Sequence, residues 1–103
     1  MQRFKTITCI VASGHALELL ERLRGEQGVA SAYAHHARDV VSRSGARQAI
    51  ADESEVVSVL VPEEDADRMF EFLYHAAGIG APQGGLIFME RMLAARASPA
   101  PQA

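Results

Sequence analysis

At 103 residues, 49% of them hydrophobic, the chain has the material for one domain with a modest core and not for two. Thirteen acidic against ten basic side chains give a net charge of −3, which argues against a broad electrostatic grip on nucleic acid or an anionic membrane, and no apolar run is long enough for membrane insertion. With no Trp, four Phe and two Tyr, the core must be mostly aliphatic. A monomer of this kind is marginal, so association with further copies is expected.

The first predicted element is a strand over residues 3–12, "RFKTITCIVA", rich in β-branched residues and apolar on both faces in its second half, as a central strand would be. Charge followed by an alternating apolar pattern and then a charged helix is unlike a signal peptide, so a cytoplasmic location is expected. Cys9 has no second cysteine for a disulfide or a CxxC metal site and reads as a small buried hydrophobe. Ser13 offers an N-cap for a helix in which Ala16, Leu19, Leu20 and Leu23 share the buried face, with Gly25 and Gly28 as stop signals. A second strand is expected from Val29 to about Ser42. The polar loop that follows, residues 43–54, has little apolar material to pack and is expected to move in the absence of a ligand.

The second half repeats this plan. A strand over residues 55–61, "EVVSVLV", leads to Pro62, which opens a helix whose first turn carries Glu63, Glu64 and Asp65 where negative charge suits the helix dipole. Ala66, Met69, Phe70 and Leu73 make its buried face and Gly78 ends it. A glycine-rich turn precedes a last strand, "GLIFMERML", and the proline-bearing tail, residues 94–103, reads as flexible. The order βαββαβ predicts an α+β, ferredoxin-like domain over residues 1–93, an antiparallel sheet with two helices on one face. Its other face needs a cover, and further copies of the chain would provide one.

The turn "AAGIGAPQGGLIFM" places four glycines, Gly78, Gly80, Gly84 and Gly85, within eight residues. Such a backbone suits either an awkward corner or a close approach of main-chain N–H groups to an anion such as phosphate. Together with the element order, the polar loop after strand two and the "G-x-I-F" start of the last strand, this turn resembles that of the PII-type nitrogen regulatory proteins and their PII-like relatives. The resemblance implies a homotrimer with an adenine nucleotide in each cleft between subunits. Gly78, Gly80, Gln83, Gly84 and Gly85 would form its phosphate-wrapping B-loop. The loop after strand two, with Arg43, Gly45 and Arg47, would be a short T-loop directed at a target protein. Leu86 stands where that family has a lysine, no tyrosine is available in the short T-loop for modification, and Arg38, Arg91 and Arg96 are the candidates for phosphate contact. Loss of the lysine places ADP and AMP beside ATP as candidate effectors.

Other residues offer less. His35 and His36 are adjacent at a strand end, so they point to opposite faces and are poorly arranged for one metal ion. They would be the metal candidates in an alternative reading, a trimer similar to the CutA divalent-cation tolerance proteins. His15 and His75 read as surface residues, the latter suited to the negative end of its helix. No nucleophile elbow, P-loop or paired catalytic carboxylates are recognisable. The reading is of a signalling protein, not an enzyme, with no cofactor beyond its effector.

Overall fold

The computed structural model describes residues 3–29, 31–36, 54–82 and 84–92. Six elements follow one another: β1 (Phe4–Ala12), α1 (Ala16–Gln27), β2 (Ala32–His36), β3 (Ser54–Pro62), α2 (Glu63–Ala76) and β4 (Leu86–Arg91). The strands form one antiparallel sheet in the order β2-β3-β1-β4, the ferredoxin-like arrangement expected from the sequence. The end of the expected second strand, the loop over residues 43–54 as far as residue 53, and the tail over residues 94–103 lie outside the described residues.

Alternation along the strands divides their side chains between two faces. Ile7, Cys9 and Val11 of β1, with Val57, Val59 and Val61 of β3, meet Ala16, Leu19, Leu20 and Leu23 of α1 and Ala66, Met69 and Leu73 of α2 in a single core. Ile7, Leu23 and Leu73 are completely excluded from solvent, a burial that contributes roughly 1.5–3 kcal/mol for each such side chain. Phe70 packs against this core while remaining half-buried. Cys9 is fully buried there, and burial pushes its thiol pKa up to about 12, so the sulfur packs as a hydrophobe.

The helix ends refine the expectations. Ser13 does not cap α1. The cap position is His15, with no side-chain cap bond, because the chain first closes a turn from His15 N–H to Ala12 O at 3.2 Å. Within that turn Gly14 takes a φ of 93° and donates its N–H to Glu55 Oε1 at 2.5 Å. Gly25 does not stop α1 but lies inside it, and the left-handed stop is Gly28. At the end of α2, Gly78 is left-handed and Ile79 N–H returns to Tyr74 O at 3.1 Å, the long bond of a Schellman cap.

The second face of the sheet mixes apolar and hydroxyl side chains. Strand register places Tyr33, Ser58, Thr8 and Phe88 in one cross-strand row and His35, Val56, Ile10 and Leu86 in the next. Ile10 and Val56 form a small apolar cluster apart from the main core. The edge strands expose larger groups, with Tyr33 60%, Leu86 48% and Phe88 37% accessible. The two central strands thus give this face the apolar pair Ile10 and Val56 beside the hydroxyl pair Thr8 and Ser58, with larger hydrophobic side chains on the edge strands.

Candidate functional site

Antiparallel pairing brings four strand ends together. Ile10 lies opposite Leu86, Ala12 opposite Ser54, and His36 opposite Glu55, so the ends of β1 and β2 share one end of the sheet with the starts of β3 and β4. The glycine turn, residues 77–85, enters the sheet at this end, and the chain leaves β2 and re-enters β3 there. The two segments that the sequence marks for function thus meet the same end of the sheet, with β1 between the strands they adjoin.

The four glycines do different things. Gly85 has a φ of 104°, and a Cβ on it would collide with the carbonyl oxygen of Ile10. Gly84 has no room for a Cβ either, being enclosed by the carbonyl oxygens of Gly78, Ile79 and Ala81. These two are required by the fold, whatever else they do. Gly78 needs its glycine for a φ of 69° alone, with open space around it. Gly80 is exposed, and a Cβ there would stand 2.8 Å from Tyr74 Oη, a movable neighbour. Gln83 lies outside the described residues.

Most main-chain donors of the turn already have acceptors within it. Ala77 N–H bonds to Leu73 O, Gly78 N–H to His75 O, Ile79 N–H to Tyr74 O, Ala81 N–H to Gly78 O and Gly84 N–H to Ala81 O, at 2.9–3.2 Å. A small cleft of about 50 Å³ adjoins the start of the turn, lined by His15, Glu18, Arg22, Val11, Leu19, Ala76 and Ala77. Arg22 is not free to serve it. Its Nε lies 2.7 Å from Glu26 Oε2 and its guanidinium sits 5.2 Å from the centre of the Phe72 ring. That hydrogen bond raises the Arg22 pKa and lowers that of Glu26.

The remaining candidates are placed unevenly. Leu86 is exposed directly after Gly85, as an apolar shoulder to the turn. Arg91 lies at the opposite end of β4, opposite Lys5, about 17 Å from Leu86 at ordinary strand rise, and so cannot serve the same protomer's turn. Arg38, Arg43, Gly45, Arg47 and Arg96 lie outside the described residues. His35 stacks on Tyr33, with ring centroids 6.0 Å apart. No group of three or more His, Cys, Asp or Glu among the described residues could hold a metal ion, and none of the described helices is long and apolar enough to cross a membrane. Two participants were missed by the sequence reading. Glu55 fastens the β1–α1 turn, and the Tyr74 hydroxyl lies beside Gly80; neither contact has a local sequence signal, since 41 and six residues separate the partners.

No protein-family model and no curated protein sequence matches the chain. Solved structures do. A functionally unknown protein from Pediococcus pentosaceus superposes with a TM-score of 0.71 at 12% identity, covering 95% of this chain and 100% of that one. GlnK of B. subtilis, a PII protein, superposes in its ATP complex with a TM-score of 0.64 at 17% identity, covering 89% of this chain and 84% of GlnK. A second GlnK structure gives 0.61 at 16% identity over 88% and 86%. These likenesses lend no support to the CutA-like alternative. The low identities leave the shared property at the level of architecture: the chain has a divergent PII-like fold.

Proposed function

We propose that the protein is a PII-like regulator: a homotrimer that senses an adenine nucleotide in the clefts between subunits and passes its occupancy to a target protein through the segment between β2 and β3. The observation that carries this reading is that the glycine turn and the ends of that segment lie at the same end of the sheet, in a fold shared with a protein whose structure contains ATP. A ligand seated at the turn would lie at the end of the sheet from which the reporting segment leaves. Threefold association is supported by the second sheet face, where exposed Tyr33, Leu86 and Phe88 surround the apolar pair Ile10 and Val56. In such a trimer Arg91 of one subunit could reach a neighbour's site, which it does not do within its own chain.

Nothing in this arrangement calls for catalysis, and regulation through binding is the function assigned. Calorimetric titration of the purified chain with ATP, ADP, AMP and cyclic AMP tests it. Saturable binding of at least one of them, at one per subunit, is expected. The absence of heat with all four at millimolar ligand would refute the nucleotide-sensing reading.

A further inference from the structure

We infer that the outer edge of β4 is a docking strand for an extended acidic peptide of a partner protein, one of whose carboxylates seats across Lys5 and Arg91. These two cations lie directly opposite each other in the β1–β4 register, on the side of the sheet that carries Ile7 and Met89. Met92 N–H bonds to Phe4 O at 3.1 Å, so that pair is hydrogen-bonded and the next one, Lys5 with Arg91, is not. Non-hydrogen-bonded pairs are the closer kind, with Cα atoms about 4.5 Å apart. Like charges so placed repel each other. The ion pairs among the described residues are Arg22 with Glu26, Asp65 with Arg68, and Glu71 with His75, and neither Lys5 nor Arg91 takes part in them. Lys5 is half-buried and Arg91 exposed, so the pair is packed on one side and open on the other. A carboxylate set between them turns the repulsion into two charge-assisted contacts.

The backbone of β4 says what carries that carboxylate. In the order β2-β3-β1-β4 this strand is an edge, bonded to β1 alone. The pairing that joins Met92 to Phe4 directs the N–H and C=O groups of Leu86, Phe88 and Glu90 at β1, and those of Ile87, Met89 and Arg91 outward. An added strand takes up the outward groups and extends the row Val61, Lys5, Arg91 by one side chain of its own. An acid in that row meets Arg91, and an apolar residue two positions along lies beside half-buried Met89. A polyanion fits less well. Glu63 N–H bonds to Arg3 O at 2.8 Å, which brings the acidic first turn of α2, Glu63, Glu64 and Asp65, to the same end of β1.

The test is an NMR titration of the nucleotide-free full chain, wild type and Lys5→Gln, with a short peptide that alternates threonine and valine about a central glutamate with valine two positions to either side. Its glutamine analogue and sodium acetate are the controls. The glutamate peptide is expected to shift the amides of Ile87, Met89 and Arg91 and to bind at least tenfold more tightly than the glutamine peptide or acetate. Lys5→Gln should remove most of that preference and, by relieving the repulsion, leave the melting temperature at low salt unchanged or higher. Equal affinity for the two peptides, or no binding of either, would overturn the inference. Acetate binding as tightly as the glutamate peptide would make this a small-anion site and overturn the docking strand. A lower melting temperature in Lys5→Gln would show that the pair is already neutralised within the chain. Slow exchange of the Ile87, Met89 and Arg91 amides in the free protein, lost on dilution, would give the edge to a second copy of the chain instead. The nucleotide-sensing reading stands or falls separately, on its own titration.

Discussion

Gly85 lies against the backbone of Ile10 so closely that a Cβ on it would collide with the Ile10 carbonyl oxygen. The last glycine of the turn is therefore where β4 is pressed onto the end of β1. Replacing it with valine looks like a direct test of phosphate binding, but that substitution would report on folding first.

Gly85→Ala should destabilise the protein by about 2–4 kcal/mol, combining strain at a φ of 104° with the collision at Ile10. Gly80→Ala, which meets only the end of a movable tyrosine, should cost less than about 1 kcal/mol. Urea unfolding of the two variants checks this. Equal stabilities would show that the approach of Gly85 to Ile10 does not constrain the fold.

Glu55 joins the start of β3 to the β1–α1 turn by accepting the Gly14 N–H at 2.5 Å. Removing it in Glu55→Ala should lower stability by about 1 kcal/mol, below the usual range for a hydrogen bond to a charged group because the contact is exposed. Glu55→Gln keeps an acceptor and should lose less. The Gly14 amide should exchange faster in the alanine variant, an effect readable by NMR. An unchanged exchange rate would dismiss the bond.

Cys9 should not react with thiol reagents at pH 8 in the folded protein, because its pKa is raised to about 12 by burial, and should react once the chain is unfolded. The sign of the linkage follows. Between the ordinary value of 9.0 and about 12 the unfolded thiol loses its proton while the folded one keeps it, so stability falls as pH rises through this window and is unaffected below it. The slope should reach about 1.4 kcal/mol per pH unit. Comparison with Cys9→Ala isolates it from other alkaline titrations. Matching pH profiles for the two proteins would contradict the assignment.

Phe88 is 37% exposed on the second sheet face, so Phe88→Glu should leave the monomer's core intact. If further copies cover that face, the substitution should shift the protein to monomer with an unchanged circular dichroism spectrum. Light scattering decides it, and a variant of unaltered mass would place any assembly elsewhere.

The fold was legible because its signals are local. The helical spacing of Leu19, Leu20 and Leu23, the acidic first turn after Pro62, and the β-branched runs of β1 and β3 each fix one element, and their order limits the topology. What was not legible depends on residues far apart in sequence. Ser13 looked like a cap because the bond from Gly14 to Glu55, which settles that turn, spans 41 residues. Gly25 looked like a stop, but tertiary burial of Leu19, Leu20 and Leu23 carries α1 through it. The glycine turn announced itself by composition, yet composition could not separate Gly84 and Gly85, which the fold requires, from exposed Gly80. The make-up of the open face was likewise not legible in detail, since it is register that places Thr8 beside Ser58 and Ile10 beside Val56 on its central strands.

Sedimentation velocity followed at 260 nm in the presence of AMP bears most directly on the central claim, because the chain contains no Trp and absorbs little there, so that bound nucleotide dominates the signal. The account predicts nucleotide absorbance moving with a single species of about 33 kDa, three chains of 11.1 kDa each, at one nucleotide per chain. Protein sedimenting as an 11.1 kDa monomer, or nucleotide remaining behind at millimolar concentration as a trimer moves away, would contradict a sensor built between subunits.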